Sequence, residues 1–155
     1  MKIKVIFVGK SENDIRGMTD KFWQRIRSMQ NIEIIEITHK ANRNQNTDQR
    51  KTEEGKKILA QISPNDFVIL LDEKGKMFSS KEWAKDLEKK RIYLNKRLVF
   101  VVGGPYGFSD EIYKRADEKL SLSPMTFSHQ LIRVIFAEQL YRVLSIIYGK
   151  PYHNE

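Results

Sequence analysis

Hydrophobic residues along the chain fall into alternating strand-like and helix-like groups. Lys2–Val8 is β-rich and apolar from Val5 onward, which reads as a strand. Beyond it, Ile15, Met18, Phe22, Trp23, Ile26 and Met29 recur at helical spacing, and Ser11 stands where a helix cap belongs. Ile32–Thr38 alternates Ile with Glu, the pattern of a strand with one wetter face. His39–Thr47 is polar, rich in Asn, Gln and Arg, and reads as a mobile loop. Asp48–Ile62 predicts a charged helix with Ile58, Leu59 and Ile62 near its end, broken by Ser63-Pro64-Asn65.

The second half repeats the alternation. Asp66–Leu71 is continuously apolar after its first residue, as a strand buried on both faces should be. Asp72–Lys76 reads as a turn, and Ser79 and Ser80 precede a helix over Lys81–Lys90 anchored by Trp83 and Leu87. Arg97–Val102 is another buried strand, running into the loop Gly103-Gly104-Pro105-Tyr106-Gly107-Phe108. Ser109-Asp110-Glu111 opens a helix with carboxylates in its first turn. After the apolar stretch Leu120–Phe127, Ser128–Tyr148 is the longest helix, stopped by Gly149 and Pro151. Strands alternating with helices predict an α/β fold with a mostly parallel sheet, and residues 1–155 carry no repeat or linker that would divide them. The apolar positions of the last helix cover more than one stripe, so it is either deeply buried or packed on a second subunit; a homodimer is the favoured expectation.

Composition narrows the classes. The 155 residues are 40% hydrophobic and 31% charged, which suits one globular domain. The absence of cysteine removes disulfides, thiolate metal sites and cysteine nucleophiles. The opening residues are too short an apolar run, and too interrupted by lysine, for a signal peptide, and no run approaches a membrane span, so a cytoplasmic protein is expected. A net charge of +8 and a pI near 9.6 suit a phosphate-backbone partner such as RNA, and equally an ordinary solvated surface.

Four segments are candidates for chemistry. Gly103, Gly104 and Gly107 follow a buried strand directly, where backbone can approach a ligand closely or simply turn. In Leu120–Phe127, Ser and Thr interleave with Leu, Met and Phe, which suits a slot for a flat purine or a plain connection. Asp72 and Glu73 end a buried strand and offer an acceptor or base, or a solvated turn. His129, Arg133, Glu138, Gln139, Arg142, Tyr152 and His153 supply the polar content of the last helix and tail. The chain has no zinc spacing, no GxSxG elbow, no Walker sequence and no RNA-recognition-motif signature, and no metal is expected.

Taken together, Val101–Phe108, Leu120–Arg133, Ala137–Arg142 and Pro151-Tyr152-His153, with Val8-Gly9-Lys10 and Leu71-Asp72…Gly75-Lys76, resemble the ribosomal RNA large subunit methyltransferase H family of the SPOUT class. The resemblance runs over essentially the whole chain. It implies a SPOUT-type parallel sheet flanked by helices, with a C-terminal deep trefoil knot, in a homodimer. It implies S-adenosylmethionine as cofactor and N3-methylation of a pseudouridine in a 23S rRNA hairpin of the large ribosomal subunit. It places cofactor contacts at Leu71, Gly103, Gly104 and the loop Leu122, Ser123, Pro124, Met125, Thr126 and Phe127. His129 and Arg133 are expected on substrate RNA. For catalysis, His153 or Glu138 would take the N3 proton, Arg142 (or Arg133) would stabilise charge, and Tyr152 would hold the base. Ser128 and Asn154 depart from the family, where proline and a basic residue are usual. Two other readings stay open on the residues alone: a non-catalytic basic α/β module that binds RNA or a ribosome, and a nucleotide-dependent enzyme whose glycine loop holds phosphate.

Overall fold

The computed structural model describes residues 1–38 and 44–154. Strands β1 (Lys2–Val8), β2 (Asn31–Ile37), β3 (Phe67–Met77), β4 (Leu98–Val102) and β5 (Glu118–Ser121) form one sheet in the order β2-β1-β4-β3-β5, every neighbour parallel. Helices α1 (Asn13–Arg27), α2 (Thr47–Leu59), α3 (Ser80–Tyr93), α4 (Asp110–Arg115) and α5 (Leu131–Ile147) connect and cover it. This is the α/β class that the hydrophobic pattern predicts.

The period of a strand divides the core in two. Ile3, Val5 and Phe7 of β1 and Leu98, Phe100 and Val102 of β4 point to the face covered by α1, α3 and α5. Ile6 and Val8, with Val99 and Val101, point to the face covered by α2 and α4. On the first face the rings of Trp83, Phe100 and Phe136 pack at centroid separations of 5.3–6.2 Å, where each pair adds about 0.5–1.5 kcal/mol beyond its buried area. Central β4 is buried at every position, which is why its sequence shows no polar alternation.

Several boundaries differ from the sequence expectation, each for a local reason. Ser11 does not cap α1: the cap position is Glu12, without a side-chain bond, and the Ser11 hydroxyl accepts instead from Arg133. Met18 is exposed and Met29 lies past the end of α1. Helix α2 ends at Leu59 rather than Ile62, and starts from a reciprocal cap between Asn46 and Gln49. Ser79 and Glu82 make the same cap for α3. Helix α5 begins at Leu131, because Ser128 forms the turn before it and accepts the Leu131 N–H at 3.1 Å. Of the expected loop His39–Thr47, residues 39–43 lie outside the described residues.

The largest correction concerns Asp72–Lys76. These residues are not a turn but a bulge within β3: Leu71 and Lys76 both pair with Leu120, and Met77 goes on to Ser121 of β5. Gly75 makes this possible. A Cβ there would lie 2.6 Å from the Lys119 carbonyl carbon and 2.7 Å from the Leu120 nitrogen, so the two backbones touch where a side chain would stand. Gly75→Ala must push them apart. Its expected cost is about 1–3 kcal/mol, read as a lower urea midpoint; an unchanged midpoint would contradict the contact.

Candidate active site

Three neighbouring parallel strands end on the same edge of the sheet, the edge where open α/β sheets bind ligands. The loop after β4, the bulge of β3 and the segment after β5 enclose a cavity of about 330 Å³ there. Of the residues expected to hold a cofactor, Leu71, Gly103, Gly104, Leu122, Ser123, Met125, Thr126 and Phe127 line it, while Pro124 sits in the same loop without lining the space. His129 is also on the wall. The geometry thus brings together residues more than fifty positions apart in sequence (Leu71 and Met125, for example).

The glycines form a cradle that side chains would fill. A Cβ on Gly103 would meet the Phe108 ring at 3.0 Å, and Phe108 is itself part of the cavity wall. A Cβ on Gly104 would come within 3.3 Å of Val8 Cγ1. Gly103→Val adds methyl groups that compete with Phe108 for the same volume. Overpacking predicts a loss of about 1–3 kcal/mol of stability, read as a lower urea midpoint with the fold retained. An unchanged midpoint would show that Gly103 does not press on Phe108.

The serines and threonine have definite tasks. Ser121 Oγ donates to the Ser123 carbonyl at 2.9 Å, and Ser123 Oγ accepts the Met125 N–H at 3.0 Å, so both hold the loop in shape. Thr126 Oγ1 donates across the cavity mouth to Glu73 Oε2 at 2.6 Å. Asp72 accepts at both oxygens, from the Tyr113 hydroxyl at 2.9 Å and the Lys74 N–H at 2.8 Å. Burial, then the bond to Asp72 and its charge, push the Tyr113 phenol up to about 12, so at neutral pH it is the donor. Tyr113 lines the cavity, and the sequence offers no motif that would single it out. None of the lining residues is Lys or Arg, which removes the usual partner of a phosphate.

Arg133 requires a correction. Expected on RNA, it is fully buried. Its guanidinium donates to the carbonyls of Val8 (2.9 Å), Gly9 (2.9 Å) and His129 (3.1 Å) and to Ser11 Oγ (2.8 Å), with Glu36 Oε2 at 3.3 Å. Burial lowers its pKa and the Glu36 carboxylate opposes that shift. Gln130, likewise buried, accepts the Glu12 N–H at 2.9 Å and donates to the Lys10 carbonyl at 3.0 Å. These two side chains stitch the loop after β1 to the start of α5, a task invisible in sequence because their partners are about 120 residues away.

The remaining candidates form a second cluster. The chain reverses after α5 at Gly149, φ +68°, and brings Tyr152 and His153 back to Glu138 and Arg142. Glu138 Oε1 accepts from Arg142 Nε (3.1 Å), Arg142 Nη2 (2.5 Å) and the Tyr152 hydroxyl (3.2 Å), and Oε2 accepts from Gln139 (2.8 Å). Arg142 Nη1 donates to His153 Nδ1 at 3.2 Å. Arginine has no acceptor, so His153 Nδ1 is the acceptor of this bond. The Arg142 guanidinium lies 4.8 Å over the Tyr152 ring, and Tyr141 packs edge-on against that ring at 4.5 Å. Burial, then the charge of Glu138, raise the Tyr152 pKa. None of these four residues lines the cavity.

A sequence profile described as "Predicted SPOUT methyltransferase" matches residues 1–153. The chain therefore belongs to the SPOUT methyltransferases. Within them it belongs to the ribosomal RNA large subunit methyltransferase H family: proteins of that name from Parabacteroides distasonis and Christiangramia forsetii are 46% and 44% identical to it, over 100% and 99% of both chains. A solved probable methylase family protein from Haemophilus influenzae shares the fold, with a TM-score of 0.55 at 11% identity, over 99% of this chain and 70% of its own. Among the described residues no helix is long and apolar enough to cross a membrane, and no group of side chains is arranged to hold a metal ion.

Proposed function

We propose that this methyltransferase takes its methyl group from S-adenosylmethionine and delivers it to N3 of a pseudouridine in a hairpin of 23S ribosomal RNA, acting in the cytoplasm as a homodimer. The observation that carries the reading is the cavity at the ends of β3, β4 and β5. Apolar side chains make up most of its walls, three glycines contribute backbone to them, and no Lys or Arg lines the space to attract phosphate. Those features suit an adenosyl group better than a nucleoside triphosphate. Membership of an enzyme family sets aside the non-catalytic RNA-binding module.

Leu71, Gly103, Gly104 and the Leu122–Phe127 loop would hold the adenosyl group, whose sulfonium supplies an electrophilic methyl when bound. N3 of the base carries an imide proton that passes to water as the methyl arrives, and negative charge builds on the flanking carbonyls as it leaves. Arg142 is the group suited to stabilise that charge. Glu138 accepts four hydrogen bonds, so it orients Arg142 and Tyr152 rather than acting as a free base. Tyr152 would hold the base by stacking.

That the Arg142 cluster does not line the cavity of its own chain supports a dimer. Leu131 is exposed and Val134, Ile135, Ile146 and Ile147 of α5 are only half-buried, although the helix already covers the sheet through Phe136, Ala137, Leu140, Val143 and Leu144. A partner on that face would bring one protomer's Arg142 cluster to the other's cavity. The trefoil knot implied by the family belongs to the same reading. Mass spectrometry of 23S rRNA from a deletion strain tests the function. Loss of one N3-methylated pseudouridine, restored by the purified protein with S-adenosylmethionine, is the expected result; an unchanged rRNA would overturn it.

A further inference from the structure

We infer that Asp72 and Glu73 make this cavity select its ligand by charge, favouring the cationic methyl donor over the neutral thioether left after transfer. The inference rests on the reading of the cavity as the S-adenosylmethionine site. The chain carries 28 Lys and Arg against 20 Asp and Glu, yet the cavity wall reverses that balance: two carboxylates and no Lys or Arg. Neither carboxylate has a salt-bridge partner among the described residues. Lys119, whose ammonium lies 5.7 Å over the Tyr113 ring, is not on the wall.

Both carboxylates are held in place by neutral donors. Asp72 is fixed at both oxygens by the Tyr113 hydroxyl and the Lys74 N–H, and Glu73 by the Thr126 hydroxyl from the opposite wall. These bonds orient negative charge without cancelling it. The β3 bulge is the device that puts them there: had β3 ended at Leu71, both residues would lie in an ordinary solvated turn. Methyl transfer breaks one S–C bond and the N3–H bond, forms one N–C bond and releases the proton to water; it removes the ligand's methyl and sulfonium charge while leaving the rest of the molecule unchanged. The attraction therefore vanishes at the moment the product forms, which favours exchange of product for fresh donor. The same carboxylates repel ligands bearing phosphate.

The pair of ligands isolates the charge. Calorimetric titration of the wild type, Asp72→Asn, Glu73→Gln and the double variant should be run with S-adenosylmethionine, with S-adenosylhomocysteine and with ATP. The double variant should bind the donor about tenfold more weakly, the size of one partly screened charge contact, and the thioether within about twofold of wild type. The retained thioether affinity also reports that the variant is folded. Glu73→Gln alone, at an exposed position, should show the same direction. Equal loss for both ligands, or none for either, overturns the inference while leaving the cofactor site standing. If the wild type binds neither adenosyl ligand, or prefers ATP, the site assignment itself falls.

Discussion

Replacing Arg133 by methionine lowers the stability of the fold by about 3–5 kcal/mol, the cost typical of breaking a buried ionic network from one side. The side chain is the largest of those fully buried, and its donors serve three backbone carbonyls, one hydroxyl and one carboxylate. Methionine fills much of the volume but donates nothing. Val8, Gly9 and His129 each lose a donor in a place water does not reach freely, and Glu36 keeps only its bonds to Arg16 and the Ser11 N–H. The melting temperature should fall by roughly 10 °C for a domain of this size. Lysine at this position should fall between the two. It keeps the charge but cannot spread donors over carbonyls on both sides, because its ammonium is a single point. Because His129 stands on the cavity wall and its carbonyl is tied to Arg133, donor affinity should weaken in the same variants at temperatures where they stay folded. A loss below about 1 kcal/mol in denaturant titration would mean that the network is not coupled to the core in the way its geometry indicates.

Arg142→Ala lowers the methyl-transfer rate about 100-fold or more, the range found when a preorganised stabiliser of transition-state charge is removed. Arg142 is held at three points, twice by Glu138 and once by His153, and it lies over the Tyr152 ring. Its reorganisation cost on meeting a developing negative charge is therefore small. None of these groups touches the cofactor cavity of its own chain, so donor affinity should stay within about twofold of wild type, the pattern of an interaction made only in the transition state. Arg142→Lys should recover little, because one ammonium cannot replace two bonds to Glu138 and one to His153. Single-turnover transfer and calorimetry on the same preparations separate the two effects. A variant that transfers at the wild-type rate would remove the tail cluster from the chemistry. One that fails to bind donor would assign it to the cofactor site instead.

The legible parts of the sequence were those whose physics is local. β1, β2 and β4 follow from runs of β-branched and aromatic residues, and α3 from Ser79 and Ser80 ahead of the Trp83–Leu87 spacing. The glycine loop and the Leu122–Phe127 segment stand out because exposed backbone and interleaved small polar residues are unusual next to buried strands. Less legible was anything that depends on a distant partner. β5 is four residues long with only Leu120 and Ser121 buried, too little pattern to mark it as a strand until β3 lies beside it. Asp72–Lys76 carries the composition of a turn, and only the backbone of Lys119 and Leu120 against Gly75 makes it a bulge.

Local preference over a few residues thus decided the class of fold, the order of its elements apart from β5, and the two loops that wall the cavity. Tertiary structure alone decided which polar side chains gather near the surface and which are drawn into the interior. Arg133 and Arg142 look alike in the sequence, both on α5 among apolar neighbours. One points into the interior and serves carbonyls from β1; the other meets a returning chain end. A side chain's role depends on which backbone and which charges surround its head group, and those arrive from segments up to 125 residues away, beyond the reach of any pattern along the chain.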